Sequence, residues 1–233
     1  GLIKHNHLVI NKKLIHITLL SILFVIVLNF IALSQEENSW EIDKPILTPG
    51  KAGSFDETGV KDPSILYFNN NWHLFYTARS KTDYTIGYVS AKKLKGIDTA
   101  KRHKLKTIRG NTPYGCAPQV FYFEPHRLWY LIFQNRDSNY QPAFSTNPSI
   151  EKPDLWNKSK NIIEKDTEKK WIDFWIIANE DRVFMFYTEA HKGLALRSTS
   201  IKAFPSGWGK SKLVFDNIHE AVHVYKVKGK NEF

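Results

Sequence analysis

The chain consists of short apolar runs that alternate with polar turns. From Trp40 onward, runs of aromatic and β-branched residues are separated by clusters of Asn, Gly, Asp and Lys, and almost no segment shows the period of an amphipathic helix. Apolar runs bounded by turn-forming residues are typical of β-strands. The pattern therefore predicts an all-β fold.

Four of these runs can be superposed as a repeat. They begin at Asp62, Ala117, Asp173 and Glu220, which lie 55, 56 and 47 residues apart. A period of about 40 to 50 residues with several strands in each unit is typical of β-propeller blades. A β-sandwich also has regular strands, but it has no reason to repeat at this period. We therefore predict three propeller blades and the beginning of a fourth.

Three of the four repeat starts are carboxylates. The first strand of each propeller blade lines the central channel, so Asp62, Asp173 and Glu220 are expected to converge there. Like charges in proximity are costly, and such a set indicates either metal binding or acid–base chemistry. The closely spaced Asp and Asn ligands of a calcium loop are missing from the sequence. Cleavage of a glycosidic bond, in contrast, needs one protonated and one ionised carboxyl group.

Each acid, taken singly, also has a simpler interpretation. Asp62 precedes Pro63 and fits a turn former, and Glu220 fits a surface residue at the edge of a strand. Asp173 is harder to explain in this way because it lies within an aromatic run, where an unpaired carboxylate is costly. The repeat position that the three acids share favours the functional interpretation.

The amino-terminal segment has the pattern of an export signal. Two lysines precede an apolar stretch of about 20 residues, Leu14–Leu33, and a small residue follows at Ser34. Residues 1–34 are therefore predicted to be a signal peptide, with a retained membrane anchor as the alternative because the stretch is long enough to span a bilayer. Either interpretation places the catalytic domain, residues 35–233, outside the cytoplasm, as a secreted or periplasmic protein.

The formal net charge is +10, and the densest basic run extends over residues 92–106. No nucleic-acid recognition motif accompanies this run, so we interpret it as a solvated strand and loop and expect no nucleic-acid partner. Cys116 is the only cysteine, which excludes an intramolecular disulfide. Its sequence neighbours include no general base, so it is not expected to be a nucleophile.

Several segments together resemble glycoside hydrolase family 62. The resemblance extends from about residue 40 to the end of the chain. The segments that carry it are Lys61-Asp62-Pro63, residues 117–123 (APQVFYF), residues 171–175 (WIDFW) and residues 220–225 (EAVHVY). Supporting segments are residues 129–134 (WYLIFQ), 144–146 (FST) and 197–200 (RSTS).

The resemblance implies a five-bladed propeller that acts as an inverting α-L-arabinofuranosidase on arabinoxylan. It implies that Asp62 is the general base, that Asp173 adjusts the pKa of the acid and orients the site, and that Glu220 is the general acid. Inversion predicts that the Asp62 and Glu220 carboxyls lie roughly 6.5–9.5 Å apart. Lys61, Gln119 and Asn135 are expected to bind the substrate. Arg136 could face the polysaccharide together with Asn135, or both could be solvated loop residues.

The same resemblance sets expectations about cofactors, partners and completeness. Catalysis needs no cofactor, although family members often hold a calcium ion in the channel through a histidine, and no metal ligand is identifiable in this chain. A monomer is expected. Because only three blades and the start of a fourth are present, we expect the chain to be C-terminally incomplete and poorly active alone.

Two other functions stay open at this point. A related propeller hydrolase, such as a family 43-type arabinanase or xylosidase, would use the same Asp/Asp/Glu chemistry on another linkage. A non-catalytic carbohydrate-binding surface protein with a retained anchor would not need all three acids.

Overall fold

The computed structural model describes residues 42–105, 114–135, 142–163, 171–189, 192–217, 220–227 and 229. The chain divides into two units, residues 1–44 and 45–233, and the β-sheets belong to the second. The predicted export segment, residues 1–34, lies outside the described residues. Within the described ranges, no helix is long and apolar enough to cross a membrane.

In the described residues, the second unit contains three antiparallel sheets of four strands each, and within each sheet the strands are neighbours in chain order. The first sheet contains β1 (Gly59–Phe68), β2 (Asn71–Arg79), β3 (Tyr84–Ala91) and β4 (Arg102–Lys104). The second contains β5 (Gly115–Phe123), β6 (Leu128–Asn135), β7 (Pro142–Asn147) and β8 (Lys160–Asn161). The third contains β9 (Trp171–Ala178), β10 (Arg182–Glu189), β11 (Gly193–Ser200) and β12 (Lys212–Phe215). Short 3-10 helices lie at Leu94–Gly96, Glu124–His126 and Pro153–Leu155. The predicted all-β propeller architecture is confirmed, with three blades in the described part of the chain.

The core consists of aromatic and aliphatic side chains packed between neighbouring blades. One cluster joins the first and second blades, with Phe75 and Tyr88 against Leu131 and Trp156. Another joins the second and third, with Tyr130 from β6 against Phe174 and others from β9 and β10. Because aromatic side chains bury a large apolar area, the high aromatic content of the sequence is explained mainly by these inter-blade cores.

The basic run is exposed at Lys92, Lys93, Lys95 and Lys101, as expected from sequence, whereas Arg102 is largely buried. Arg102 lies on β4 and its guanidinium contacts the buried Asp56 carboxylate at 2.8 Å and that of Asp98 at 3.1 Å. Burial alone would raise the pKa of Asp56, but hydrogen bonds from Arg102, Ser54 and Tyr76 outweigh it and hold that pKa below its usual value. Arg102 therefore ties the outer strand of the first blade to the segment before β1.

The first strand of each blade is interrupted by a β-bulge at the repeat position. The ladder of β1 skips two residues after Lys61, and the ladders of β5 and β9 skip two residues at the same place. The first skipped residue has a left-handed backbone in every case, with φ of 52° at Asp62, 50° at Ala117 and 58° at Asp173. A bulge redirects side chains away from the sheet, and this is how the repeat position comes to face the channel.

The fourth repeat is shifted by one residue from the alignment predicted from sequence. The left-handed residue there is Ala221, with φ of 56°, and not Glu220. Glu220 therefore corresponds to the residue before the bulge, the position of Lys61 in the first blade. The sequence alignment placed Glu220 opposite Asp173 because both are acids. The backbone conformation instead makes Ala221 equivalent to Ala117.

A second set of contacts supports the shifted register. In each blade, the residue two positions after the left-handed one has a side chain that bonds the next unit. The backbone group that it bonds belongs to the residue three positions after the left-handed residue of that unit. The pairs are Ser64 with the Val120 amide at 3.0 Å, Gln119 with the Ile176 amide and carbonyl at 2.6 Å each, and Trp175 with the Val224 carbonyl at 2.7 Å. We call these bonds the inter-blade clips.

The clip at Gln119 is expected to contribute strongly to stability. Replacing Gln119 by Leu would leave the amide and the carbonyl of Ile176 without their partner in a buried place, and each unsatisfied group costs about 1–3 kcal/mol. We expect the free energy of unfolding in urea to fall by about 2–4 kcal/mol. Asn71→Ala, which removes an exposed turn bond to Asn69, is the control and should change it by less than about 0.5 kcal/mol. An equal effect of the two variants would contradict the role of the clip.

Candidate active site

A pocket of about 260 Å³ lies where the bulges of the blades meet. Its walls are the left-handed residues and the residues that follow them. These are Asp62, Pro63, Ala117, Pro118, Asp173, Phe174, Trp175, Ala221, Val222 and His223. The volume is somewhat below that of pockets for drug-sized ligands and suits a single sugar ring. The pocket is mostly apolar, and the Asp62 and Asp173 carboxyls are its acidic groups within the described residues.

Asp62 is held beside a cation at the rim of the pocket. The Lys61 ammonium lies 3.6 Å from the Asp62 carboxylate, and the Asp62 side chain is 33% exposed. Lys61 itself is more exposed and also lies over the Tyr84 ring, 5.9 Å from its centroid. An ion pair in a solvent-accessible place is weak, so Lys61 can move toward a ligand at small cost. Its predicted contact with substrate stays a prediction.

Asp173 is placed where its ionised form is disfavoured. Burial raises the pKa of Asp173 above its usual value, and the negative charges of Asp62 and Glu220 raise it further. The amide of Ala221 donates a hydrogen bond to Asp173 Oδ2 at 3.2 Å, which opposes this shift in part. A carboxyl group that is pushed toward its protonated form by two neighbouring acids is a frequent feature of catalytic sites.

Glu220 lies beside the pocket and next to one of its wall residues, Ala221. Its side chain is exposed, and its charge acts on Asp173. The structure therefore brings Asp62, Asp173 and Glu220 to the same end of the blades, although Glu220 reaches it from a different repeat position than the other two. Their assignment as base, modulator and acid stays a prediction.

Two of the predicted substrate-binding residues are buried away from the pocket. Both ends of the Gln119 amide bond the backbone of Ile176, and Gln119 is 4% exposed. Asn135 is the last residue of β6 and is 8% exposed. Neither belongs to the pocket wall, so in this structure Gln119 joins blades. Arg136 lies outside the described residues.

Cys116 is poorly suited to nucleophilic chemistry. Its side chain is buried, and this burial raises the pKa of the thiol to about 11. The reactive form of a cysteine is the thiolate, so at neutral pH Cys116 is protonated and inert.

Trp175 and His223 are wall residues that were not singled out from sequence. Their rings stack with centroids 4.1 Å apart and planes 20° from parallel. Burial lowers the pKa of His223, whereas the charge of Asp173 opposes that shift, so His223 is mainly neutral at physiological pH. Superposing Ala221 on Ala117 and Asp173 aligns His223 with Trp175, because each lies two positions after a left-handed residue.

The described residues do not form a metal site. Among them, no group of three or more His, Cys, Asp and Glu side chains is arranged to hold an ion. The calcium ion that the resemblance implies for the channel of the full-length protein stays a prediction. What the pocket offers is acid–base chemistry, since the carboxyls of Asp62 and Asp173 both line it and Glu220 lies beside it.

Comparison with known proteins identifies similar chains. The family model described as glycosyl hydrolase family 62 matches residues 104–233, more than half of the chain. An "Alpha-L-arabinofuranosidase C" of Cellvibrio japonicus is 29% identical over 202 residues, which cover 83% of this chain and 30% of the relative. The catalytic domain of the GH62 α-L-arabinofuranosidase of Coprinopsis cinerea superposes with a TM-score of 0.72 at 29% identity. A GH62 hydrolase solved in complex with xylotriose superposes with a TM-score of 0.69 at 27% identity.

The coverage of these relatives is partial. The superpositions extend over 81% and 80% of this chain and over 62% of each of the two solved chains. The chain thus spans less than two thirds of the length of the relatives it matches. Within that span, the family model and the fold agree, and the chain belongs to glycosyl hydrolase family 62.

Proposed function

We propose that the natural protein carrying this chain releases α-L-arabinofuranosyl side chains from arabinoxylan with inversion at the anomeric carbon. The observation that carries the proposal is the pocket, in which Asp62 and Asp173 share one cavity and Glu220 lies next to its wall. Two relatives are named α-L-arabinofuranosidases, and the solved GH62 hydrolase binds xylotriose, a fragment of the xylan backbone. Together they favour an arabinose-decorated xylan as the substrate.

In the proposed mechanism, Asp62 accepts a proton from water as that water attacks the anomeric carbon. The Lys61 ammonium lies 3.6 Å from the Asp62 carboxylate, on this side of the pocket. Glu220 donates a proton to the departing xylosyl oxygen from the opposite side of the bond. The exposed position of Glu220 suits an acid that must reach a bond between a buried sugar ring and a polymer outside the pocket.

Asp173 has an indirect role in this mechanism. Its carboxyl accepts a hydrogen bond from the amide that follows Glu220, so it connects the base side of the pocket to the acid side. The charges of Asp173 and Glu220 also act on one another. We therefore propose that Asp173 acts on the general acid through its charge and orients the site.

The test is a product analysis on arabinoxylan. We expect free L-arabinose as the sugar released, an unshortened xylan backbone, and the β-anomer as the first product in proton NMR spectra recorded before mutarotation. Linear arabinan and an aryl xyloside serve as controls for the family 43-type activities. Shortened xylan chains, or an α-anomer as the first product, would contradict the proposal.

A further inference from the structure

The segment that carries Glu220 contacts the third blade through side chains of β9. Residues 220–227 follow β12, and within the described part of the chain they have no strand assignment. Trp175 and Asp173, both on β9, supply contacts that hold the segment against this blade.

Trp175 supplies three of those contacts. Its indole nitrogen donates a hydrogen bond to the Val224 carbonyl at 2.7 Å. Its ring stacks on His223 at 4.1 Å and meets the Tyr225 ring edge to face at 5.3 Å. A ring that packs on two aromatic side chains and also bonds the backbone between them defines both the height and the rotation of the segment.

Trp175 is the third inter-blade clip, and its contacts differ from those of the first two. Ser64 and Gln119 join the blades through hydrogen bonds. Trp175 adds ring contacts with His223 and Tyr225 to its hydrogen bond with Val224. Removing its N–H group would release the backbone at Val224 from the third blade.

A shift of the backbone at Val224 would be transmitted to Glu220. Ala221, directly after Glu220, has a left-handed φ of 56°, which an alanine adopts only when its surroundings impose it. The amide of Ala221 bonds Asp173 on one side and the Trp175 contacts hold residues 223–225 on the other. Both anchors come from β9, so one strand sets the position of Glu220 relative to Asp173.

We propose that Trp175 is a positioning residue that places Glu220 for proton donation, through its hydrogen bond to Val224 and its stacking on His223. This inference rests on the proposed role of Glu220 as the general acid. A general acid must be held within a fraction of an ångström of its productive position, and a misplacement of about 1 Å can cost 10²-fold in rate.

The experiment compares two substrates that differ in their need for the acid. Release of arabinose from arabinoxylan needs protonation of a sugar oxygen, whereas 4-nitrophenolate is stable enough to leave without a proton. In the natural protein, we expect Trp175→Phe, which keeps an aromatic ring but loses the N–H group, to lower kcat on arabinoxylan about tenfold. On 4-nitrophenyl α-L-arabinofuranoside, kcat should change less than about twofold. Glu220→Gln should show the same selectivity with a larger loss.

Trp208 provides a matched control. Its indole nitrogen also donates to a backbone carbonyl, that of Pro205, at 2.8 Å, and it does not belong to the pocket wall. Trp208→Phe should affect the two substrates alike, through stability alone. If Trp175→Phe does not fold, His223→Leu removes the stacking partner instead and should show the same dependence on the leaving group.

The double variant Trp175→Phe with Glu220→Gln separates positioning from a general structural role. If Trp175 acts through Glu220, the double variant should be no slower on arabinoxylan than Glu220→Gln alone. Equal losses on both substrates, or multiplied losses in the double variant, would overturn the inference. If the wild-type protein cleaves another glycoside, the proposed function fails while the inference is tested on that sugar and its nitrophenyl glycoside.

Discussion

Asp62→Asn is expected to reduce arabinose release from arabinoxylan by about 10²–10⁴-fold, the range that general acid–base catalysis supplies. Asparagine has nearly the same shape as aspartate but cannot accept a proton from the attacking water. Because Asp62 lies at the rim and is 33% exposed, the substitution should leave the fold intact. Initial rates and the thermal midpoint Tm, measured on the natural protein, check both parts of this expectation.

Two measurements distinguish the loss of the base from the loss of the acid. One is the dependence of the rate on the leaving group, and the other is rescue of the rate by an added nucleophile. The base is needed whatever group departs, so Asp62→Asn should be slow on 4-nitrophenyl α-L-arabinofuranoside as well. Azide attacks carbon without giving up a proton, and it should restore part of the rate by forming the β-arabinofuranosyl azide. Asp43→Asn, at an exposed residue outside the pocket wall, is the control and should retain full activity. A rate near that of the wild type for Asp62→Asn would exclude Asp62 as the base.

Asp173→Asn is expected to change activity and stability in opposite directions. Activity on arabinoxylan should fall about 10²-fold, because the charge interaction between Asp173 and Glu220, the proposed general acid, is lost. Stability at neutral pH should rise, because burial and the charges of Asp62 and Glu220 disfavour the ionised Asp173 side chain. The asparagine oxygen can still accept the hydrogen bond from the Ala221 amide.

The pH dependence of Tm tests the stability part of this prediction. The pKa of Asp173 is raised in the folded state above its ordinary value of 3.8. Between these two pKa values the folded state binds more protons than the unfolded state, so the contribution of Asp173 to stability falls as pH rises through this interval. The two proteins should therefore have similar Tm values below pH 3.8, and the variant should become the more stable one as pH rises toward neutrality. A constant difference across this range would contradict the prediction.

The repeat of about fifty residues could be predicted because it is local. Each blade is a hairpin with further strands added in chain order, so its apolar runs and turns follow one another along the chain. The two aspartates could be recognised for the same reason, since the residue at the bulge occupies a constant place in each unit. Asp62 and Asp173 do line one pocket, as the alignment predicts.

The fourth repeat shows where local reasoning was wrong. The sequence alignment placed Glu220 at the bulge, but the left-handed residue is Ala221. Which residue adopts that conformation depends on the clip from Trp175 and on the hydrogen bond from the Ala221 amide to Asp173. Both partners lie almost fifty residues earlier in the chain, so the apolar pattern around Glu220 does not reveal them.

Gln119 is a second residue whose role the local sequence does not reveal. Its place beside the repeat position suggested a contact with the sugar, yet its amide is used to join the second blade to the third. Successive side chains of a strand point to opposite faces, and the bulge decides which face each residue meets. The sequence by itself determined the all-β class, the blade period and the two aspartates that line the pocket. The tertiary structure alone decided the register of the bulges, and with it which side chains face the pocket and which join the blades.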